Sequence, residues 1–162
     1  MVMKLDDLVN AMRYAFFRSG RLYVDISSEA YKFYVEISYF KDGISNLRIE
    51  RIVYLPDSPH LSVDSEWSNF PQNIKGRSIE WIAPSFYDSV VEAFLPEITN
   101  EFVKTKLESV PKFSDEFKRL FDIYVEDDYE YGEGKKFYEF KNEYWHETAR
   151  KFCDEHGIEY EE

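Results

Sequence analysis

The chain has 162 residues, with 20 Lys and Arg against 32 Asp and Glu, a net charge of −12 and an aromatic share of 19%. That length suits one domain with a sizeable core, and that aromatic content excludes a disordered chain. The negative charge argues against direct binding to nucleic acid or an anionic membrane, and no apolar run approaches membrane-spanning length.

Cys153 is the only cysteine, so no internal disulfide is expected. With the polar opening Met-Val-Met-Lys-Leu-Asp-Asp, this predicts a cytoplasmic protein.

Residues 4–18 predict an amphipathic helix, with Leu5, Leu8, Val9, Met12 and Phe16 at helical spacing. Asp6 and Asp7 fall in its first turn, where the helix dipole favours acids, and Gly20 is the expected stop. Arg13, Arg18 and Arg21 gather near its end. Leu22, Val24 and Ile26 then alternate with Tyr23 and Asp25, which predicts a short strand.

Residues 31–40 form the clearest local pattern. Tyr31, Phe33, Val35, Ile37 and Tyr39 share one side, and Lys32, Tyr34, Glu36 and Ser38 share the other. Residues 47–55 repeat the alternation less cleanly through Leu47, Ile49, Val53 and Leu55. A three-residue loop, Lys41 to Gly43, would set Val35 opposite Ile49 and Ile37 opposite Leu47, with Gly43 in the left-handed position of a bulged turn. This apolar match predicts the hairpin register.

Residues 56–76 break the pattern with Pro56, Pro59, Pro71 and Gly76. Trp67 and Phe70 in this stretch would anchor a partner if exposed, or tuck under the sheet if not. His60 reads as a surface residue. A fourth strand is expected over residues 77–82.

Helices follow. One opens at Pro84 and Ser85 and buries Phe86, Val90, Val91 and Phe94. A second carries Ile98, Phe102, Val103 and Leu107 between Pro96 and Pro111. A third, residues 113–125, is capped by Ser114 and buries Phe117, Leu120 and Phe121. The last, residues 135–156, gathers Phe137, Phe140, Tyr144, Trp145, Thr148 and Phe152 on one face. The fold class is therefore α+β: an N-terminal helix, an antiparallel meander of three to four strands, and a helical C-terminal half packed on one sheet face. A single domain spanning residues 1–162 is expected, sheet-rich to residue 83 and helical beyond it.

Charge divides along the same line. Residues 1–83 carry 10 bases and 11 acids, whereas residues 84–162 carry 10 and 21. The acids concentrate in two places. Asp122, Glu126, Asp127, Asp128, Glu130 and Glu133 interleave with Tyr124, Tyr129 and Tyr131, and Glu139, Glu143, Glu147 and Asp154 share the outer arc of the last helix. Carboxylates one turn apart repel, so such an arc either keeps a protein dissolved or awaits a cationic partner.

No catalytic motif survives inspection. His146-Glu147-Thr148-Ala149-Arg150 departs from the zinc-protease pattern, because Arg150 stands where a second His is required. His146, Cys153 and His156 have the residue types of a metal site, but a lone Cys is more often packed than ligating. Glu126-Asp127-Asp128 lacks the alternation of a calcium loop. No cofactor or metal is expected.

The charge layout points to a non-enzymatic, acidic protein-binding inhibitor, of the immunity, anti-restriction or anti-CRISPR type. It would occupy a basic surface on a nuclease or other nucleic-acid-handling protein through residues 122–133 and the acid arc. A different expectation is a small enzyme or ligand-binding domain, with an aromatic pocket between sheet and helices and the 56–76 segment as a lid. A third is a dimeric scaffold.

Overall fold

The computed structural model of the chain describes residues 2–26, 31–41, 46–54, 78–85 and 87–162. His60, Trp67, Phe70, the rest of the 56–76 segment and the turn at Gly43 lie outside the described residues. The architecture is α+β, as expected. In chain order the elements are β1 (Met3–Lys4), α1 (Leu5–Phe17), β2 (Arg21–Asp25), β3 (Lys32–Lys41), β4 (Asn46–Tyr54), β5 (Ser78–Ile82), a composite helical stretch α2 (residues 87–97), α3 (Glu101–Glu108), α4 (Asp115–Phe121), α5 (Glu133–His156) and β6 (Tyr160–Glu161). No described helix is long and apolar enough to cross a membrane. The chain divides into two compact units. One comprises Met1–Ser85 and Trp145–Glu162, and the other is Phe86–Tyr144.

The first unit is built on an antiparallel sheet in the order β4-β3-β2-β5. Central β2 is buried at every residue from Leu22 to Asp25, and α1 packs on it and on β3. Tyr23 is therefore inside, although the alternation placed it opposite Leu22 and Val24. Leu5, Leu8, Val9, Met12 and Phe16 form the buried stripe of α1.

The end of α1 refines the expected stop. Ser19 takes the left-handed conformation (φ 50°), and the Gly20 and Ser19 N–H groups donate to Ala15 and Phe16 carbonyls at 2.8 and 3.0 Å. This is a Schellman closure with Ser, rather than Gly, at the left-handed position. Gly20 is required for a different reason: a Cβ there would lie 2.9 Å from the Glu36 carbonyl oxygen.

The hairpin register differs from the expected one. Val35 pairs with Ile52, Ile37 with Glu50 and Lys41 with Asn46, so four residues separate the paired strands rather than three. The physical reason lies in β4, where Leu47, Ile49 and Val53 are apolar on one parity and Ile52 and Tyr54 on the other. An apolar match therefore exists in more than one register. The observed one pairs all nine residues of β4 and sets Glu36 against Arg51.

The last turns of α5 complete this unit. Trp145 is buried, with its ring 4.7 Å from Phe16 and 6.3 Å from Trp81, both edge-on. Beyond α5 the chain returns to its start. β6 pairs in parallel with β1, Met3 against Tyr160, and Arg150 binds both carboxylate oxygens of Glu162 at 2.8 and 2.9 Å. His146 Nε2 lies 3.0 Å from Asp6 Oδ1 in the first turn of α1.

The second unit is helical. The stretch expected as one helix from Pro84 is composite: a π turn Tyr87–Val91, an α segment Glu92–Phe94 and a 3-10 turn Leu95–Glu97. Pro96 lacks an N–H, so the coil tightens and ends there. Asn100 caps α3 by accepting from the Val103 N–H at 3.1 Å, and Ser114 caps α4 by accepting from Phe117, as expected. α4 continues into a second π turn, Asp122–Glu126. The core is a run of rings: Phe94 and Phe121 lie 4.8 and 5.1 Å from Phe137, and Phe117 stacks on Phe121.

Removing the Trp145 ring strips the first unit of its contacts with Phe16 and Trp81. Trp145→Ala is expected to lower unfolding free energy by about 3–5 kcal/mol in chemical denaturation. A loss under about 1 kcal/mol would show that the aromatic triad does not hold the unit.

Candidate functional site

The acidic turn of the second unit, residues 122–134, is organised by two carboxylates that face inward. Asp128 Oδ1 accepts from the Glu130 and Tyr131 N–H groups at 2.8 and 2.9 Å, and its Oδ2 accepts from Glu133 and Gly134 at 3.1 and 3.4 Å. One side chain thus closes the turn and satisfies amides that open α5, which have no partner within the helix. Burial works against its charge, but the four backbone donors hold the Asp128 carboxyl below its ordinary range.

Glu133 is fully buried. Its Oε1 accepts from the Thr99 and Asn100 N–H groups at 3.1 and 2.9 Å, where α3 begins. Its Oε2 faces Lys136 Nζ at 3.1 Å, out of line for a hydrogen bond. Lys136 also donates to the Glu97 carbonyl and the Thr99 hydroxyl at 2.7 and 3.1 Å. Gly134 fits because nothing larger does: a Cβ would lie 2.6 and 2.8 Å from the Asp128 and Val125 carbonyl oxygens.

This inner frame displays an aromatic surface. Phe102 stacks on Tyr131 at 5.3 Å and meets Tyr124 edge-on at 5.5 Å. Phe102 and Ile123 remain 45% and 46% exposed, and Tyr129, at the tip between the Asp128 acceptor and its donors, is 97% exposed. Lys106 Nζ already lies 5.4 Å from the Phe102 ring centroid. Asp127 and Glu130 are exposed beside Tyr129 in the chain.

The sequence placed Phe102 in a buried stripe, but only Val103 and Leu107 of α3 are inside. Phe102 precedes Val103 by one residue, about 100° around an eight-residue helix, so it falls at the edge of the stripe.

The other sequence-predicted residues are distributed as follows. Glu126 is exposed as a residue, but its side chain is only 32% exposed and lies 3.6 Å from Lys141. Burial raises its carboxyl, Lys141 lowers it, and Asp122 one turn away raises it again. Tyr87 is raised by burial and then by Asp122. Glu139 and Glu143 are exposed on α5 within this unit. Glu147 and Asp154 belong to the first unit, where Glu147 pairs with Arg150 at 2.6 Å. The exposed members that share the turn with the rings are thus Asp127, Tyr129, Glu130 and the partly exposed Tyr131.

Among the described residues, no three His, Cys, Asp or Glu side chains converge as metal ligands. Cys153 is fully buried, and burial pushes its thiol up to about 11. His156 packs against Phe152, its ring 4.7 Å away. The chain matches no protein-family model, no curated protein and no solved structure.

Three measurements check these placements. Asp128→Ala is expected to speed amide exchange at Tyr131 and Gly134 and to destabilise the second unit by about 1–2 kcal/mol. Because the folded carboxyl is depressed, its stabilisation is complete above the unfolded aspartate range and disappears as pH falls through the folded value. The Tyr131 and Gly134 amide resonances should accordingly titrate below the ordinary aspartate range. A midpoint within that range would contradict the frame. With its thiol protonated and enclosed, Cys153 should react with a thiol reagent only after denaturation.

Proposed function

We propose that this protein is a binding module that meets a basic protein surface through the ring-and-carboxylate face of residues 122–131 and Phe102. The surface it fits is one rich in Arg and Lys, of the kind that otherwise holds a nucleic-acid backbone, and its occupation would inhibit a nucleic-acid-handling partner. The observation that carries this reading is the exposure of Tyr129, with Asp127 and Glu130 exposed near it in the chain and in no ion pair with another described residue, on a turn whose shape is fixed from within and whose Tyr131 stacks on the part-exposed Phe102.

Exposed rings and carboxylates suit guanidinium groups doubly. The planar cation stacks on a ring while its N–H groups meet a carboxylate. Preorganisation matters because the turn loses little entropy on binding. Lys106 over Phe102 is an internal example of the same contact. An acidic patch alone would be an ordinary solvated face; aromatic side chains left outside the core argue for a partner.

The test is an affinity capture from nucleic-acid-free extract at about 0.05 M and about 0.5 M salt, compared with a Tyr129→Ala, Asp127→Lys, Glu130→Lys variant. Basic nucleic-acid-binding proteins are expected at low salt, with loss at high salt and with the variant. Retention of the same proteins by the variant would sink the proposal, as would recovery of no basic protein at low salt.

A further inference from the structure

The second unit holds a cavity of about 330 Å³, lined by Leu95, Ile98, Leu107, Val110 and Phe117 together with Lys104, Glu108 and Lys112. Its floor is part of the aromatic core. Phe117 is buried, stacks on Phe121 at 6.1 Å and meets Phe113 edge-on at 5.4 Å. One wall is a tight turn in which the Ser114 N–H donates to the Pro111 carbonyl at 3.1 Å. Phe113 sits in that turn at φ 64°, a position where Gly is ordinary and Phe is strained.

The charges at this cavity do not behave alike. Lys112 is committed, with its Nζ 2.8 Å from Glu92 Oε1. Lys104 and Glu108 stand one turn apart on α3, about 6 Å between their Cβ atoms. Both are exposed, and neither forms an ion pair with another described residue. An apolar hollow therefore carries one unpaired cation and one unpaired anion. A simple carboxylate amphiphile would meet Lys104 but also the repulsion of Glu108, and an amine would meet the reverse.

We propose that this cavity takes a free α-amino acid with an apolar side chain. The carboxylate would lie on Lys104, the ammonium on Glu108, and the side chain among Ile98, Leu107 and Phe117. The volume, about 330 Å³, suits a small ligand of the size of leucine or phenylalanine. It lies at the small end of the range for ligand sites. The site is independent of the Tyr129 face, so either can fail without the other.

The experiment is an amide-resonance titration of the full chain with three probes: leucine, its deaminated analogue isocaproate, and its decarboxylated analogue isopentylamine. Leucine is expected to produce saturable shifts at Leu107, Val110 and Phe117, with each analogue about tenfold weaker. Lys104→Ala and Glu108→Ala, both solvent-facing changes that leave the packing intact, should each weaken leucine about tenfold. Leu107→Trp should fill the cavity and abolish the shifts; if it unfolds the unit, the two surface variants still decide. Isocaproate binding as tightly as leucine would overturn the proposal in favour of an anionic amphiphile. A leucine residue within a capped peptide binding as well as the free amino acid would overturn it in favour of a socket for a protein side chain. Absence of saturable shifts overturns it outright.

Discussion

A carboxylate that accepts several backbone hydrogen bonds fixes the chain around it, and the second unit depends on two of them. Asp128 takes N–H groups from Glu130, Tyr131, Glu133 and Gly134, and Glu133 takes those of Thr99 and Asn100. The second contact joins the start of α5 to the start of α3, with residues 34 apart in sequence tied through one oxygen. Partial positive charge at both helix starts favours the anions, so the same electrostatics that caps the helices pins the turn between them. Everything displayed on that turn inherits its order from these inward groups, which is why an acidic segment can be rigid.

The net charge of −12 therefore has several roles. Some carboxylates are structural, as Glu133 is. Others are matched locally: Glu92 by Lys112, Glu116 by Arg119, Glu147 and Glu162 by Arg150. Exposed pairs of this kind contribute little to stability. What distinguishes Asp127 and Glu130 is their company, since they flank a ring that is almost wholly solvent-exposed. The second unit, with 15 acids and 8 bases, holds a larger excess than the rest of the chain, with 17 and 12.

Much of the fold is legible in the residues. The stripe of Leu5, Leu8, Val9, Met12 and Phe16 predicts α1 to within a residue at either end, and Ser114 marks the start of α4. The strands follow from alternation. What local pattern cannot carry is pairing. β4 offers apolar residues on both parities, so alternation leaves its register with β3 open, and the two-residue β1–β6 pair leaves no periodic trace. The site is legible in part. The acids and tyrosines of residues 122–131 announce themselves, whereas the inward turn of Asp128 and Glu133 and the outward turn of Phe102 depend on neighbours distant in sequence. The cavity has no signature at all, being lined from three separate segments.

The division of the chain has a consequence for how it comes to be folded. One unit is drawn from a continuous stretch, Phe86–Tyr144, and the other needs both Met1–Ser85 and Trp145–Glu162. The continuous one can assemble as soon as its own residues have left the ribosome. The other must wait, since Trp145 has to reach Phe16 and Tyr160 has to reach Met3, and closing so long a span carries an entropy that local contacts do not. During synthesis, the sheet is thus left without these helical turns until residues 145–162 have emerged. In that interval its apolar face is the part of the nascent chain most exposed to aggregation.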